Sequence, residues 1–302
     1  RCMADRRLQV FHAVAIERNF TRAAETLFMS QPAVTFQIRQ LEERYQVRLF
    51  ERSPGRVTLT AAGELMFHYA EKIQALNDEL DSRLGEMTGE MRGILAIGAS
   101  TSLAENVLPR LLAEFNARYP QVRPRLIVGN SETIIGQVAS HTLEAALIGG
   151  TVEHEALQSQ VCSEDALYAY CAPDYPLAGV KSANPRQLRE YEYLTREPGS
   201  GSRTIADAWF KAGGVAQDEL KILMELGSPE ALKHLVRGGA GFTIAPNLIF
   251  AEEVAAGRLV CIPLKPALTR PLTLISPKDR FRSRLVSTFI EFVRQQLKEF
   301  AF

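Results

Sequence analysis

The first 45 residues alternate apolar and polar positions with the spacing of amphipathic helices. The pattern predicts a first helix over about residues 5–17 and a second helix, capped by Thr21, through residues 22–27. Ser30 is placed to cap a third helix, and Pro32 falls in its first turn, where a missing N–H costs little. Short helices in this order are typical of a helix–turn–helix.

The third helix has two chemically different faces on a wheel at about 100° per residue. One face is predicted to be buried, through Val34, Ile38, Leu41 and Tyr45. The opposite side carries Gln31, Pro32, Thr35, Phe36, Arg39 and Gln40. Polar side chains of these types can read base edges, and a helix–turn–helix inserts such a helix into the major groove. We therefore predict that this face binds DNA; the alternative is a three-helix bundle that binds protein.

Residues 49–59 predict a hairpin after the third helix. Pro54 and Gly55 form a turn signal, and the segments on either side can pair as short strands. Arg52 and Arg56 fall near the tip, where they suit phosphates or the minor groove. The hairpin is interpreted as the wing of a DNA-binding domain, with a surface hairpin on a protein-binding bundle as the alternative.

A single long helix is predicted from Ala61 to about Met91, capped by Thr60 and roughly 45 Å long at 1.5 Å per residue. Its apolar residues recur at spacings of three or four, as Leu65, Tyr69, Ile73, Leu76, Leu80, Leu84, Met87 and Met91. No neighbouring segment of the sequence is an obvious cover for that stripe, so a second copy of the helix is the predicted partner. The alternative is a helix that folds onto its own body.

From Gly93 onward, short apolar strands alternate with helices, which indicates an α/β fold with mostly parallel sheets. The alternation occurs in two sets, the second starting near Leu167. Two such halves imply two lobes with a cleft between them, as in periplasmic solute-binding proteins.

Several predicted helix starts in this region carry hydroxyl residues and glycines. They comprise Ser100, Thr101 and Ser102 after the first strand, then Arg196, Gly199, Ser200, Gly201 and Ser202, and finally Ser228. Ligands of parallel sheets bind beyond the carboxyl ends of the strands, where helix N-termini offer free N–H groups and partial positive charge. A small anion, either a carboxylate or an oxyanion, is the ligand that these starts favour. The alternative is that the hydroxyls only cap helices.

Composition and charge narrow the function classes. The chain has 302 residues, which predicts two or three domains, and its 35 basic and 35 acidic residues leave no net charge. The charge is unevenly distributed, because residues 1–60 carry +4 and residues 61–92 carry −4. No apolar run reaches the length of about 20 residues that a membrane helix needs. The start lacks the pattern of a signal peptide, so we expect a cytoplasmic protein.

Signatures of enzymes and metal sites are missing from the sequence. The histidines have no metal spacing, the cysteines form no CxxC pair, and residues 238–241 lack the Lys and Ser/Thr of a phosphate-binding loop. The glycines at 199 and 201 lack the third glycine of a dinucleotide fingerprint. We therefore expect no catalysis, no cofactor and no metal.

Residues 20–63 closely resemble the N-terminal winged helix–turn–helix of LysR-type transcriptional regulators, most densely at the segment SQPAV that begins at Ser30. The layout of the whole chain is also similar to that family. The resemblance implies that Gln31, Pro32, Thr35 and Phe36 lie in the major groove and that Arg52 is the wing arginine. The family usually has arginine at the position of Phe36. Phenylalanine cannot donate to guanine, but it can pack on thymine methyl groups.

The resemblance also implies a fold class, a multidomain α+β chain. A winged helix–turn–helix would span 1–60, a linker and dimerisation helix 61–92, and a two-lobed α/β effector domain of the periplasmic-binding-protein kind (type 2) 93–302. Lobe I would take about 93–163 and 266–302, and lobe II about 164–265. The helix starts named above and Thr204 would line the effector pocket, and Gly149 would form part of its wall.

As such a regulator, a bacterial protein of this sequence would bind double-stranded promoter DNA as a homodimer or homotetramer. A small anionic effector in the cleft would change lobe closure and hence DNA binding, and the resemblance implies contact with RNA polymerase. The competing hypothesis is a solute-binding protein for a small anion, which shares the two lobes but has no use for residues 1–60.

Overall fold

The computed structural model describes residues 5–53, 56–87, 91–278 and 282–299. The chain divides into two compact units, Arg1–Glu90 and Met91–Phe302, and each folds around its own apolar residues. No helix among the described residues is long and apolar enough to span a membrane.

The first unit begins with the helices α1 Arg6–Glu17, α2 Phe20–Thr26 and α3 Gln31–Tyr45. They pack around one apolar core, because each turns its apolar stripe inward. The ring of Phe50 closes that core, with its centroid 5.3 Å from the ring of Phe11.

The turn residues between the helices set where α2 and α3 begin. The side-chain oxygen of Asn19 accepts hydrogen bonds from the backbone N–H groups of Thr21 at 2.8 Å and Arg22 at 3.1 Å. The prediction that Thr21 caps α2 is therefore wrong, because Asn19 already satisfies both N–H groups of the first turn. Ser30 caps α3 as predicted, with its Oγ 3.4 Å from the nitrogen of Ala33.

One side of α3 is buried and the other is exposed. Val34, Ile38 and Leu41 are buried, as the helical wheel predicts. Tyr45, which the same stripe includes, is 51% exposed instead. The helix ends at this residue, and Gln46 turns the chain away with a positive φ, so the predicted stripe is one residue too long.

The predicted hairpin is confirmed. Strand β1 Phe50–Ser53 pairs antiparallel with β2 Arg56–Leu59, in the register that sets Ser53 opposite Arg56. Its tip, Pro54 and Gly55, lies outside the described residues.

The long helix α4 spans Ala61–Met87 and begins as predicted, since the N–H of Gly63 donates to Oγ1 of Thr60 at 3.0 Å. Its apolar stripe, formed by Leu65, Tyr69, Ile73, Leu76, Leu80 and Leu84, is at least 40% exposed at every position. The side chain of Met87 lies outside the described ones, and Met91 lies beyond the helix and packs against the core of the second unit. The first unit therefore leaves an apolar helix face uncovered.

The second unit is built on one large sheet and a separate strand pair. The large sheet contains β3 Gly93–Ser100, β4 Val122–Gly129, β5 Ala145–Gly149, β6 Leu157–Cys171, β9 Thr243–Pro246, β10 Val260–Ile262 and β11 Leu268–Pro277. Their order is β10-β6-β11-β5-β3-β4, and β9 also pairs with β6. The separate pair is β7 Tyr193–Arg196 with β8 Ile222–Leu226.

Helices cover these strands. They are α5 Thr101–Asn106, α6 Leu108–Arg118, α7 Ser131–Ala139, α8 Pro185–Leu188, α9 Gly201–Ala212, α10 Pro229–Arg237, α11 Asn247–Ala255 and α12 Arg284–Glu299, with a 3-10 turn at Gln217–Glu219. Helices α5, α7 and α9 each follow a strand or the loop beyond it, so their N-termini point to the same edge of the sheets as the strand ends.

The strand pairing differs from the predicted mostly parallel arrangement. β3 is parallel to β4 and β5, and β7 is parallel to β8, whereas β11 runs antiparallel to both β5 and β6. The reason is connectivity. β6 carries the chain from one half of the unit to the other and β11 brings it back, so the two strands must run in opposite directions.

The apolar cores divide the second unit into two lobes around these crossing strands. The cores of lobe I contain residues of β3–β5, α5–α7 and α12, together with Leu157, Leu272 and Leu274 from the crossing strands. The cores of lobe II contain residues of β7, β9, β10 and α8–α11, together with Leu167 and Ala169. Because β6 and β11 contribute to cores of both lobes, these two strands connect the lobes.

Replacing Asn19 by Ala should unfasten the start of α2, because two N–H groups lose their acceptor. Loss of such a cap costs about 1 kcal/mol, so we expect amide exchange in residues 20–26 to rise about fivefold in hydrogen-exchange mass spectrometry. Thr21→Ala is the matched control and should leave exchange unchanged. An equal effect of both substitutions would contradict the assignment of the cap.

Candidate functional site

A small polar cavity lies between the two lobes of the second unit. It is lined by Ser100, Thr101, Ser102, Asn130, Ser131, Gly149, Arg196, Ser200, Gly201, Ser202 and Arg270. The lining leaves room for about one water molecule. Hydroxyl, amide and guanidinium groups dominate this lining, and no carboxylate is among the described residues that form it. The cavity therefore offers hydrogen-bond donors and positive charge.

Helix N-termini contribute to that charge. α7 and α9 both begin at the cavity, with Ser131 and Gly201 as their first residues, and the shorter α5 begins beside them. The side chain of Ser200, the N-cap residue of α9, accepts from none of the helix's backbone N–H groups; its Oγ lies 3.1 Å from Oγ of Ser202 in the first turn. The first N–H groups of α9 are consequently left without a capping side chain at the N-cap, where the helix dipole favours negative charge.

The serine hydroxyls are arranged to donate. Oγ of Ser100 accepts a hydrogen bond from the N–H of Gly149 at 3.2 Å, and Oγ of Ser102 accepts one from Nη1 of Arg270 at 3.0 Å. A hydroxyl that accepts in this way still has its own proton to give. These two hydroxyls therefore suit an acceptor-rich guest such as an oxyanion.

Arg270 supplies the most deeply buried charge of the lining. Its side chain is 2% exposed and pairs with the fully buried Asp165, with 3.1 Å between Nη2 and Oδ2. Burial lowers the pKa of Arg270 to about 10, so the guanidinium remains charged at neutral pH. Burial raises the pKa of Asp165, and the neighbouring Arg270 charge opposes that rise.

Arg196 lines the same cavity, but partners in its own lobe hold its guanidinium. Nε and Nη2 donate to the carboxylate of Glu197 at 2.9 and 3.1 Å. The same nitrogens also donate to the backbone carbonyls of Leu226 at 3.1 Å and Gly227 at 3.4 Å. Arg196 thus fastens the end of β7 to the segment after β8.

Glycines let the two lobes approach closely at this cavity. A Cβ on Gly201 would overlap the carbonyl oxygen of Gly149, and a Cβ on Gly149 would lie 2.6 Å from Nη1 of Arg270. Two hydrogen bonds join the lobes nearby: the N–H of Glu132 donates to the carbonyl of Gly199 at 3.1 Å, and Nδ2 of Asn130 donates to the carbonyl of Pro198 at 3.3 Å. The lobes are therefore closed on each other here.

The structure brings most of the predicted effector residues together. Those that line the cavity are Ser100, Thr101, Ser102, Gly149, Arg196, Ser200, Gly201 and Ser202. Gly199 adopts a φ of +85° beside the cavity and faces Glu132 and Asn130 rather than lining it.

Two predicted residues lie elsewhere. The hydroxyl of Thr204 donates to the carbonyl of Ser200 at 3.2 Å within α9, and its side chain is exposed. Ser228 caps α10 by accepting from the N–H of Ala231 at 3.3 Å, and it is also exposed. Thr204 lies one turn inside α9, and Ser228 caps α10, a helix that contributes no residue to the cavity lining. Neither hydroxyl therefore reaches the cavity.

Three residues of the lining were not predicted from the sequence: Asn130, Ser131 and Arg270. Asn130 and Ser131 follow the end of β4, where α7 begins. They are polar residues at a helix start after a strand, the same pattern that predicted the other lining residues. Arg270 lies within a strand and gives no local signal, because only the pairing of β11 with β6 brings it to the cavity.

The outward face of α3 is the second candidate site, and it lies in the first unit. Gln31, Pro32, Phe36 and Arg39 are exposed, while Thr35 and Gln40 are half-buried. Nε2 of Gln31 donates to Oγ1 of Thr35 at 3.0 Å, which orders the start of this face. The side chains of Arg52 and Arg56 lie outside the described ones.

The turn before α3 contains an unexpected feature. Phe28 has a φ of +53°, which is uncommon for a bulky residue, and its ring is 98% exposed. The N–H of the next residue, Met29, donates to the carbonyl of Ala24 at 2.9 Å and closes the turn. The sequence between the second and third predicted helices gives no indication of this exposed ring.

Metal and thiol chemistry find no support in the described residues. No group of three or more His, Cys, Asp and Glu residues among them could hold a metal ion. The three cysteines of the second unit are free thiols, and burial raises the pKa of Cys171 to about 11. A buried thiol with a raised pKa is a poor nucleophile at neutral pH.

Comparisons with known proteins identify both units. Residues 6–64 match the family model "Bacterial regulatory helix-turn-helix protein, lysR family", and residues 88–298 match "LysR substrate binding domain". The chain is 34% identical over 289 residues to the RuBisCO operon transcriptional regulator of Allochromatium vinosum, covering 95% of this chain and 94% of the relative. It is 32% identical over 288 residues to a probable RuBisCO transcriptional regulator of Cyanophora paradoxa, covering 94% and 89%.

Solved structures give the same result. Full-length CbnR complexed with its target DNA is 25% identical, with a TM-score of 0.70 and coverage of 96% of this chain and 98% of that one. The regulatory domain of Synechocystis CcmR in complex with 2-PG is 25% identical, with a TM-score of 0.62 and coverage of 68% and 97%. The helix–turn–helix match excludes the competing hypothesis of a solute-binding protein without a DNA role.

Replacing Gly201 by Ala should keep the lobes from closing as they do here, because the new methyl group would overlap the carbonyl oxygen of Gly149. We expect amide exchange at Glu132, whose N–H bonds across the cleft, to rise about tenfold or more. Gly227→Ala is the control, since a Cβ there meets nothing within 4 Å. Equal exchange in the two variants would show that the glycine contact does not limit closure.

Proposed function

Since the chain belongs to the LysR family of transcriptional regulators, it is a DNA-binding regulator that responds to a small effector rather than an enzyme, and we propose the residues and the effector class through which it acts. The proposal has three parts: a DNA-reading face on α3, a dimer formed through α4, and an anion site in the cavity between the lobes. We further propose that the protein acts in the bacterial cytoplasm, where promoter DNA lies, and that it contacts RNA polymerase there as its family does.

Helix α3 enters the major groove in this proposal. Its outward residues, Gln31, Pro32, Thr35, Phe36, Arg39 and Gln40, read or contact the bases, and Arg52 and Arg56 of the hairpin contact phosphates or the minor groove. The proposal is supported by the burial of the opposite face of α3, which leaves this face free. Phe36, 57% exposed, meets thymine methyl groups where an arginine would bind guanine.

A second copy of the chain covers the exposed stripe of α4. The uncovered apolar residues from Leu65 to Leu84 support this partner, because water is an unfavourable neighbour for a continuous apolar helix face. Two heads on one dimer would bind two half-sites related by two-fold symmetry. The assembly is a homodimer or a homotetramer.

The effector is a small anion with a carboxylate or phosphoryl group. The observation that carries this assignment is the donor-rich lining, with N–H groups, hydroxyls and guanidinium groups around one small space. CcmR, similar over the second unit, has been solved with 2-PG, which supports 2-phosphoglycolate as a first probe. Anion binding changes how the lobes close and thereby changes DNA binding, with a coupling of typically about 1–3 kcal/mol.

The DNA-reading face can be tested with duplexes selected by the wild-type chain from a random library. Phe36→Ala should weaken binding to the selected sites about fivefold, because a contact to thymine methyl groups is lost. Tyr45→Ala, an equally exposed aromatic at the far end of α3, is the matched control and should change the affinity less than twofold. Affinity should also fall steeply with salt for both proteins. If Tyr45→Ala were the more damaging change, α3 would be placed wrongly.

The anion site can be tested by calorimetry of the full chain with 2-phosphoglycolate, inorganic phosphate, sulfate and small carboxylates. Ser100→Ala removes a lining hydroxyl that accepts from Gly149 and keeps its proton for a bound anion, so we expect about tenfold weaker binding of whichever anion the wild type prefers. Thr204→Val, a hydroxyl outside the cavity, should leave the affinity unchanged. Binding of neutral analogues with equal affinity would refute an anion site.

A further inference from the structure

We propose that Arg270 binds the anionic group of the effector and that Asp165 positions its guanidinium, at the point where the chain crosses between the lobes. This inference rests on the proposed effector site and names the charged side chain of that site that binds the effector.

The first argument is position. Arg270 on β11 and Asp165 on β6 are direct cross-strand neighbours in the register of the two crossing strands. On one side of this pair, Leu167 belongs to a core of lobe II; on the other, Leu272 belongs to a core of lobe I. The ion pair therefore lies between the cores, where the two lobes join.

The second argument is the arrangement of hydrogen bonds around the guanidinium. Asp165 accepts from Nε at 3.3 Å and from Nη2 at 3.1 Å, so it occupies one edge of the planar group. Nη1 donates to Oγ of Ser102 at 3.0 Å. An arginine has five N–H donors, so one on Nη1 and one on Nη2 remain without a partner among the described residues. A carboxylate or phosphate oxygen is the acceptor that such a fork binds best.

The third argument is the space made for this group. A Cβ at Gly149 would lie 2.6 Å from Nη1 and 3.1 Å from Cζ of Arg270, so a larger residue there would force the guanidinium to move. Arg196 lines the same cavity, but Glu197 and two backbone carbonyls already hold its Nε and Nη2. Nη1 of Arg196 also has no partner among the described residues, but Arg270 is the more deeply buried of the two, at 2% against 7% exposed, and it alone lies on a crossing strand.

Asp165 joins the charge of Arg270 to the second crossing strand. The backbone N–H groups of Asn247 and Leu248, at the start of α11, lower the pKa of Asp165 and so oppose the effect of its burial, but its Oδ1 has no hydrogen-bond partner among the described residues. An effector bound to Arg270 therefore acts on both crossing strands.

The test measures 2-phosphoglycolate and inorganic phosphate binding to the full chain by calorimetry, beside thermal melting. Arg270→Gln alone leaves the Asp165 charge buried without its partner and can prevent folding. The double variant Arg270→Gln/Asp165→Asn removes both charges; Asp165→Asn keeps the side-chain shape, whereas Arg270→Gln shortens the side chain. We expect the double variant to regain the melting temperature that the single variant loses, while anion affinity stays about 30-fold or more below that of wild type. Arg270→Lys keeps the charge but loses the fork and should bind about tenfold more weakly.

Whether Asp165→Asn strengthens or weakens anion binding distinguishes a positioning role of Asp165 from simple neutralisation of Arg270. Removing a nearby negative charge should tighten anion binding if Asp165 only neutralises Arg270. If Asp165 positions the guanidinium, Asp165→Asn should weaken binding, and we expect about a tenfold loss. Tighter or unchanged binding by Asp165→Asn would overturn the positioning role.

A matched control is the exposed ion pair of Glu253 and Arg258 in lobe II, outside the cavity lining. Glu253→Gln/Arg258→Gln should bind the probes as the wild type does. Wild-type affinity in the Arg270→Gln/Asp165→Asn variant would overturn the assignment of Arg270 while leaving the effector site intact. A wild-type chain that binds none of the anions would overturn both proposals.

Discussion

The antiparallel crossing of β6 and β11 is the constraint on which the second unit depends. A chain that leaves one lobe and returns to it needs two strands of opposite direction, and their pairing fixes which residues face each other between the lobes. It places Arg270 opposite Asp165, within reach of Ser102 from lobe I. The cavity, the approach of Gly149 to Gly201 and the closed cleft all lie around that crossing.

Electrostatic balance explains why this site suits an anion although its arginines are already paired. Each arginine of the lining has a carboxylate partner, Asp165 or Glu197, so the two pairs together add no net charge. The remaining attraction for an anion comes from the helix N-termini and from two serine hydroxyls. These hydroxyls accept hydrogen bonds from the protein, so their own protons can be donated to a bound anion. Removing one partner of a buried ion pair typically costs about 3–5 kcal/mol, so the loss of Arg270 alone would mix its effect on a ligand with its effect on stability.

The sequence predicts local features well and long-range pairings poorly. The Ser30 cap, the hairpin and the start of α4 follow from neighbouring residues, and the structure contains each of them. The first half of β6 is polar and mostly exposed, so its apolar pattern indicates a strand only from Leu167. Arg270 lines the cavity only because β11 pairs with β6, and the residues next to Arg270 in the sequence do not indicate that pairing. Thr204 and Ser228 show the converse, since a hydroxyl at a helix start is equally compatible with an ordinary cap or turn.

The contact between Gly149 and Gly201 limits how such a protein can diversify. In this closed form, a methyl group at Gly201 would collide with the backbone carbonyl of Gly149, and one at Gly149 would displace the guanidinium of Arg270. A substitution at either position therefore disrupts the closed form before it can adapt the cavity to a new ligand. A descendant that recognises a bulkier metabolite has to enlarge the chamber through the hydroxyl and amide side chains around it, or abandon tight closure altogether.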